Sequence, residues 1–286
     1  MAPPTRPPLF SCSSGGLSDG FFAVPYLAPL ASALDAVGFT LIHALLRSSH
    51  AAWGFGSLDR DAEDLERLLH ALGAAGSAGV VLIGHSTGCQ DAVRLAQRLK
   101  EADVADADAA AAGSGAPTPR AGSRPPILGA VLQAPVSDRE WLALDPETPR
   151  RVAAAATAVN KDLPELVVTW MRAWDGAPVT AARFLALAAR GGDDDLFSTG
   201  DATDSELVRA LAPLAGVPTL VLVSEKDEYV APDHDPITHA DRLANAVVPR
   251  GCGEAAIVAA AHSGDGAVGD VVAKIVDFIE RRCAPR

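Results

Sequence analysis

Along this chain short runs of β-branched and other apolar residues alternate with segments whose apolar positions recur at helical spacing. The runs predict strands at residues 9–13, 39–46, 80–84, 127–134, 217–223 and 255–260. Helical patterns fall between them, at 24–37 (stopped by Gly38), 235–246 and 267–282. The clearest helix starts at Ser57, a good N-cap, with Asp59 and Asp61 in its first turn, where negative charge favours the helix dipole. Its residues Leu58, Ala62, Leu65, Leu69 and Leu72 form one core-facing stripe, and Gly73 ends it. Strands that alternate with helices in this way form a parallel sheet covered on both faces. The fold class expected is therefore α/β, with a mainly parallel sheet of about six strands. A single domain over residues 9–286 is expected, with residues 1–8 disordered.

Three segments depart from the alternation. Residues 102–126 (ADVADADAAAAGSGAPTPRAGSRPP) are low in complexity and cannot bury enough apolar surface to fold, so a disordered surface insertion is expected there. Residues 138–190 read as helical and carry Trp141, Trp170 and Trp174. A helical excursion between two sheet strands would form a lid over the strands' C-terminal edge, where α/β proteins bind ligands. The three tryptophans are its substrate-pocket candidates, although Trp serves equally to pack such an excursion onto the sheet. The acidic stretch 191–206 reads as a solvated loop, since Asp193, Asp194 and Asp195 lack the ligand order of an oxygen-donor metal loop.

Composition narrows the function. The chain has 286 residues, 49% hydrophobic and 21% charged, which suits a globular domain with a sizeable core. Its formal net charge of −12 and its lack of Lys/Arg clusters argue against nucleic acid or an anionic membrane as partner. No apolar run approaches a membrane span, and MAPPTRPPLF has no hydrophobic signal core, so a cytoplasmic protein is expected. Cys12, Cys89, Cys252 and Cys283 have no CxxC spacing and are expected to be free thiols, with no metal site.

The strongest chemical signal is Val80 to Asp91, VVLIGHSTGCQD. An apolar strand breaks into Gly-His-Ser-Thr-Gly and then into a helical pattern, the context that a G-x-S-x-G nucleophile elbow requires. Gly84 and Gly88 permit the sharp reversal, Ser86 stands at its apex, and the next N–H, from Thr87, would face a developing oxyanion. A serine hydroxyl needs a general base and a group that orients it, and in elbow-bearing chains these follow in the order Ser, acid, His. Of seven histidines, His43, His50, His70 and His85 precede the nucleophile. His262, just past the last strand in AAIVAAAHSGDG, has the position of the base, with His239 the remaining candidate. Asp227, beyond VPTLVLVSEK, is the candidate acid, with Glu225 and Glu228 read as solvated neighbours. Asp138 is the alternative acid, one strand earlier. The second oxyanion donor belongs on the loop after the first strand, at the N–H of Leu17 or, failing that, Gly16.

The segments GGLSDG, SSHAAWGFGSLDRD, IGHSTGCQD, QAPVSDRE and SEKDEYV occur in this order, and with them the chain resembles the DUF1749 family of α/β-hydrolase-like proteins. The resemblance runs from about residue 9 to the C-terminus, apart from residues 102–126. It implies the α/β-hydrolase fold with a helical lid insertion, and an esterase-like activity whose fungal relatives include siderophore-ester hydrolases. It supports Ser86, Asp227 and His262, and gives Gln90 and Asp91 a role beyond starting a helix, Asp91 in tying down loops around the elbow. The first strand would be the third of a full α/β-hydrolase sheet, so the leading strands, including the antiparallel one, are expected to be missing.

The function expected is serine carboxylic-ester hydrolysis of a small or medium-sized ester, through an acyl-enzyme and without a cofactor. Two alternatives use the same residues: acyl transfer to an acceptor other than water, and a non-catalytic ligand-binding protein that keeps the pocket as a receptor.

Overall fold

The computed structural model describes residues 9–111, 124–171, 176–230 and 234–284. Strand β1 (Leu9–Ser14) leads through helix α1 (Leu27–Ala36) to β2 (Phe39–His43), and a 3-10 turn (His50–Phe55) precedes α2 (Leu58–Ala74). Then come β3 (Gly79–His85), α3 (Gly88–Ala111) and β4 (Ile127–Gln133). The excursion contains α4 (Asp138–Leu142), α5 (Thr148–Asn160), β5 (Val167–Met171), β6 (Ala177–Thr180) and α6 (Ala181–Ala188). Helix α7 (Asp204–Leu211), β7 (Thr219–Ser224), α8 (Pro236–Ala246), β8 (Gly253–Val258) and α9 (Val268–Arg282) follow.

Six strands form one parallel sheet in the order β2-β1-β3-β4-β7-β8. The period of two along a strand divides its side chains between two cores. On β3, Val80 and Leu82 join α2, α3, α7 and α8 on one face, while Val81 and Ile83 join α1 and α9 on the other. Being covered on both sides, β3 is buried throughout, which is why it reads as a continuous apolar run. The Ser57 side chain caps α2 by accepting the Arg60 N–H, and the stripe Leu58, Ala62, Leu65, Leu69, Leu72 is buried. The fold is the expected α/β-hydrolase arrangement.

The departures behave differently from expectation. Helix α3 continues to Ala111, so the first part of the segment read as a disordered insertion is an exposed, alanine-rich helix. Alanine has the highest helix propensity, and a run of it can extend a helix already anchored by packing. Residues 112–123 of that insertion lie outside the described residues. The excursion is not helical throughout, because β5 and β6 pair as an antiparallel hairpin. Val167, Val168, Thr169 and Trp170 are strand-favouring residues, and they outweigh the surrounding helical pattern.

The acidic stretch is not simply solvated. Asp194, Phe197, Ser198 and Thr199 are buried, Asp195 pairs with Arg139 at 2.9 Å, and Thr203 with Glu206 forms the capping box that starts α7. Cys89, Cys252 and Cys283 are free thiols. Among the described residues no helix is long and apolar enough to cross a membrane.

Candidate active site

Parallel order brings the C-terminal ends of β3, β4, β7 and β8 to one edge, and the segments following them meet there. Ser86 follows β3 with φ of 53°, a left-handed conformation that an L-residue rarely adopts without support. Support comes from both sides: the Ser86 N–H donates to Gln133 O at 3.0 Å, and Ser86 O accepts from the Cys89 N–H at 2.9 Å. Gly84 is required for closeness, since a Cβ there would lie 2.4 Å from Gly88 O. Thr87 stands just ahead of α3, where an N–H has no acceptor within the helix.

His262 lies on the loop between β8 and α9 and is 7% exposed. Its Nδ1 is 2.8 Å and 2.9 Å from the two carboxylate oxygens of Asp227, which follows β7. The Glu228 carboxylate accepts the His262 backbone N–H at 3.0 Å, so Glu228, exposed as the sequence suggests, also ties down the loop. Tyr229 packs edge-on against the His262 ring, with centroids 4.6 Å apart. His239 has both ring nitrogens engaged, Nδ1 with Thr199 Oγ1 at 2.6 Å and Nε2 with Pro135 O at 2.9 Å, which leaves it unfit as the base.

A cavity of about 130 Å³ is lined by Gly16, Leu17, Ser86, Asp138, Tyr229 and His262, among others. The loop after β1 reaches it because Gly16 has no side chain: a Cβ there would be 2.7 Å from Ser86 Cβ and 3.0 Å from its Oγ. The Gly16 N–H donates to Asp19 Oδ2 at 2.6 Å, so Gly16 is already committed and Leu17 is the better oxyanion candidate. Burial raises the Asp19 carboxyl above its ordinary range, against the pull of that Gly16 N–H.

The alternative acid does not meet the base. Asp138 accepts from Gln90 Nε2 at 3.0 Å, and its carboxyl is pushed up to about 7 by burial and by Asp194 nearby. It belongs to a buried group of four carboxyls, Asp61, Asp91, Asp138 and Asp194, each of which interacts electrostatically with Arg183 of α6. Arg183 donates to Asp194 at 2.7 Å and to Trp53 O at 3.2 Å. Burial works against its charge, and the surrounding carboxylates more than offset it. Burial pushes the Asp61, Asp91 and Asp194 carboxyls upward. Gln90 thus joins the elbow helix to the excursion through Asp138, and Asp91 is buried beside it.

The tryptophans are distributed unevenly. Trp141 reaches the site indirectly, packing on Tyr229 at 5.5 Å between ring centroids. Trp170 is 64% exposed on β5 and is not among the residues lining the cavity. The strand's alternation turns Met171 inward and Trp170 outward, and a helical reading of this segment hides that difference. Trp174 lies outside the described residues. Sequence reasoning missed Gln133, Tyr26, Asp19 and Tyr229. A glutamine ending an apolar strand is a weak signal of a buried polar junction, whereas nothing local marks the others.

The match to known proteins follows this arrangement. Residues 12–278 match the family described as "Protein of unknown function (DUF1749)". The fusarinine C esterase sidJ of Aspergillus fumigatus is 33% identical over 88% of this chain and 80% of its own. Esterase AN6793 of Emericella nidulans is 28% identical over 67% of this chain and 60% of its own. Among solved structures, the siderophore hydrolase EstB from Aspergillus fumigatus superposes with a TM-score of 0.73 at 26% identity, covering 100% of this chain and 94% of that one. The chain belongs to the DUF1749 family and has the α/β-hydrolase fold.

Proposed function

We propose that this protein is a serine carboxylic-ester hydrolase. The observation that carries the reading is that Ser86, in its left-handed turn, and His262, held by Asp227, line one cavity. Ser86 Oγ attacks the ester carbonyl while His262 Nε2 takes its proton. Asp227 keeps the other imidazole proton on Nδ1 and stabilises the imidazolium. The Thr87 and Leu17 N–H groups receive the oxyanion. His262 then protonates the departing alcohol, and a water activated by His262 releases the acid from Ser86.

The esterase names of relatives support this chemistry. A cavity of about 130 Å³ favours a short acyl group beside Ser86. Siderophore esters such as fusarinine C are the first natural substrates to assay, because relatives that span most of this chain carry those names.

The test is labelling by a fluorophosphonate probe, with turnover of an ester series of graded acyl length. Wild-type protein should label and hydrolyse the short esters, and folded Ser86→Ala should do neither. A folded wild type that fails to label would overturn the reading in favour of ligand binding without turnover.

A further inference from the structure

Beneath the cavity one residue is bonded to both sides of the proposed serine–histidine pair. Gln133 ends β4 and is completely buried. Its main-chain carbonyl accepts the Ser86 N–H at 3.0 Å and the Cys89 Sγ–H at 3.3 Å. Its side-chain Nε2 lies 3.3 Å from His262 O and 3.4 Å from Ser224 Oγ. Its Oε1 lies 2.6 Å from His85 Nδ1 and 2.9 Å from the Tyr26 hydroxyl.

These partners determine the protons. A carbonyl oxygen can only accept, so His262 O identifies Nε2 as the amide's donor end. Oε1 must then accept from its two neighbours, which puts a proton on His85 Nδ1 and makes the Tyr26 hydroxyl a donor. His85 stays neutral, its pKa lowered to about 3 by burial and by the nearby His262. A charged ring at that position would stand 4.9 Å, centroid to centroid, from the His262 ring.

We infer that Gln133 is the positioning residue that sets the His262 imidazole relative to Ser86, its main chain holding the elbow and its side chain holding the histidine loop. The inference rests on the reading of Ser86 as nucleophile and His262 as base. Both bonds originate from the end of a central, fully covered strand, so the two groups inherit its rigidity. Asp227 orients the imidazole in its own plane, whereas Gln133 places the backbone from which that ring hangs. Replacing a buried glutamine that served stability alone would lower the melting temperature and leave each folded molecule as active as before.

Two variants separate these roles. Gln133→Met keeps the length and removes all four side-chain bonds; Gln133→Glu keeps the shape and removes the donor to His262 O and Ser224 Oγ. Turnover is measured per probe-titrated site, alongside the downfield proton resonance of the His262 Nδ1–H to Asp227 bond. Displacement of a reacting group by about 1 Å costs on the order of 100-fold, so kcat should fall about 10- to 100-fold. KM should stay within about threefold, because ground-state binding does not use this bond. The resonance should shift or broaden in both variants. Wild-type kcat per site with an unmoved resonance, in either folded variant, would overturn the inference. If wild type itself neither labels nor turns over, the hydrolase reading fails, and the resonance still reports whether Gln133 sets His262. If Gln133→Met does not fold, Gln133→Glu carries the same two readouts.

Discussion

Both oxygens of the Asp227 carboxylate face Nδ1 of His262, at 2.8 Å and 2.9 Å, and the Asp227 side chain is nearly sealed from solvent. An acceptor-only group in that position admits one neutral imidazole tautomer, with the proton on Nδ1 and the lone pair on Nε2. Asp227→Asn presents an NH₂ group that favours the opposite tautomer. Its kcat for a short ester should drop by about 10³- to 10⁴-fold with the fold intact. Steady-state kinetics with circular dichroism check this, and a loss below tenfold would place the acid elsewhere.

Gly16 and Ser86 make the second relationship that can be tested directly. A methyl group on Gly16 would press on Ser86 Cβ at 2.7 Å, and the backbone of both turns would have to move. Gly16→Ala should therefore reduce kcat/KM by about 100-fold or more, as displacement of a reacting group does. Unfolding should be little affected, because the collision is at the edge of the sheet. Probe-labelling rates alongside thermal melts would separate the two effects.

Among the described residues Arg183 is the one buried cation that interacts with the four buried carboxyls Asp61, Asp91, Asp138 and Asp194. Removing one partner of a buried pair leaves uncompensated charge, so Arg183→Met should cost about 3–5 kcal/mol of folding stability. The loss should be greater at pH 8 than at pH 5, since acid lets the orphaned carboxyls fold as neutral groups. Urea denaturation at the two pH values measures both quantities.

Asp138 predicts a pH dependence of the wild type. Its folded pKa of about 7 lies above the ordinary carboxylate value, so the folded state holds its proton where the unfolded chain has released it. The corresponding stability is fully present below about pH 4 and is lost as pH rises through about 7. Asp61, Asp91 and Asp194 are shifted in the same direction. The urea midpoint should fall from pH 5 to pH 8, and Asp138→Asn should make that fall shallower. An equal slope in the variant would show that another group carries the dependence.

Much of this arrangement can be read along the chain. The continuous apolar run of β3, the stripe Leu58 to Leu72 in α2 and the elbow GHSTG are local patterns, because covered strand, helix repeat and tight turn are local geometries. Chain order puts Asp227 and His262 forward, with Asp138 and His239 as alternatives, because segments that follow parallel strands must meet at one sheet edge. Residues 138–190 and 191–206 were harder to read: short amphipathic stretches suit hairpin and helix alike, and acidic residues look solvated until a cation is found for them.

What three-dimensional packing settled is of another kind. It chose which oxygens face His262, committed the Gly16 N–H to Asp19, and turned Trp170 outward. It also brought Asp61, Asp91, Asp138 and Asp194 from separate segments into the field of one arginine, and placed Gln133 between the elbow and the histidine loop. Such contacts join residues up to 130 positions apart, as Arg183 joins Trp53. Short-range periodicity cannot encode them, because a buried polar group finds its partners only after the apolar faces have closed around it.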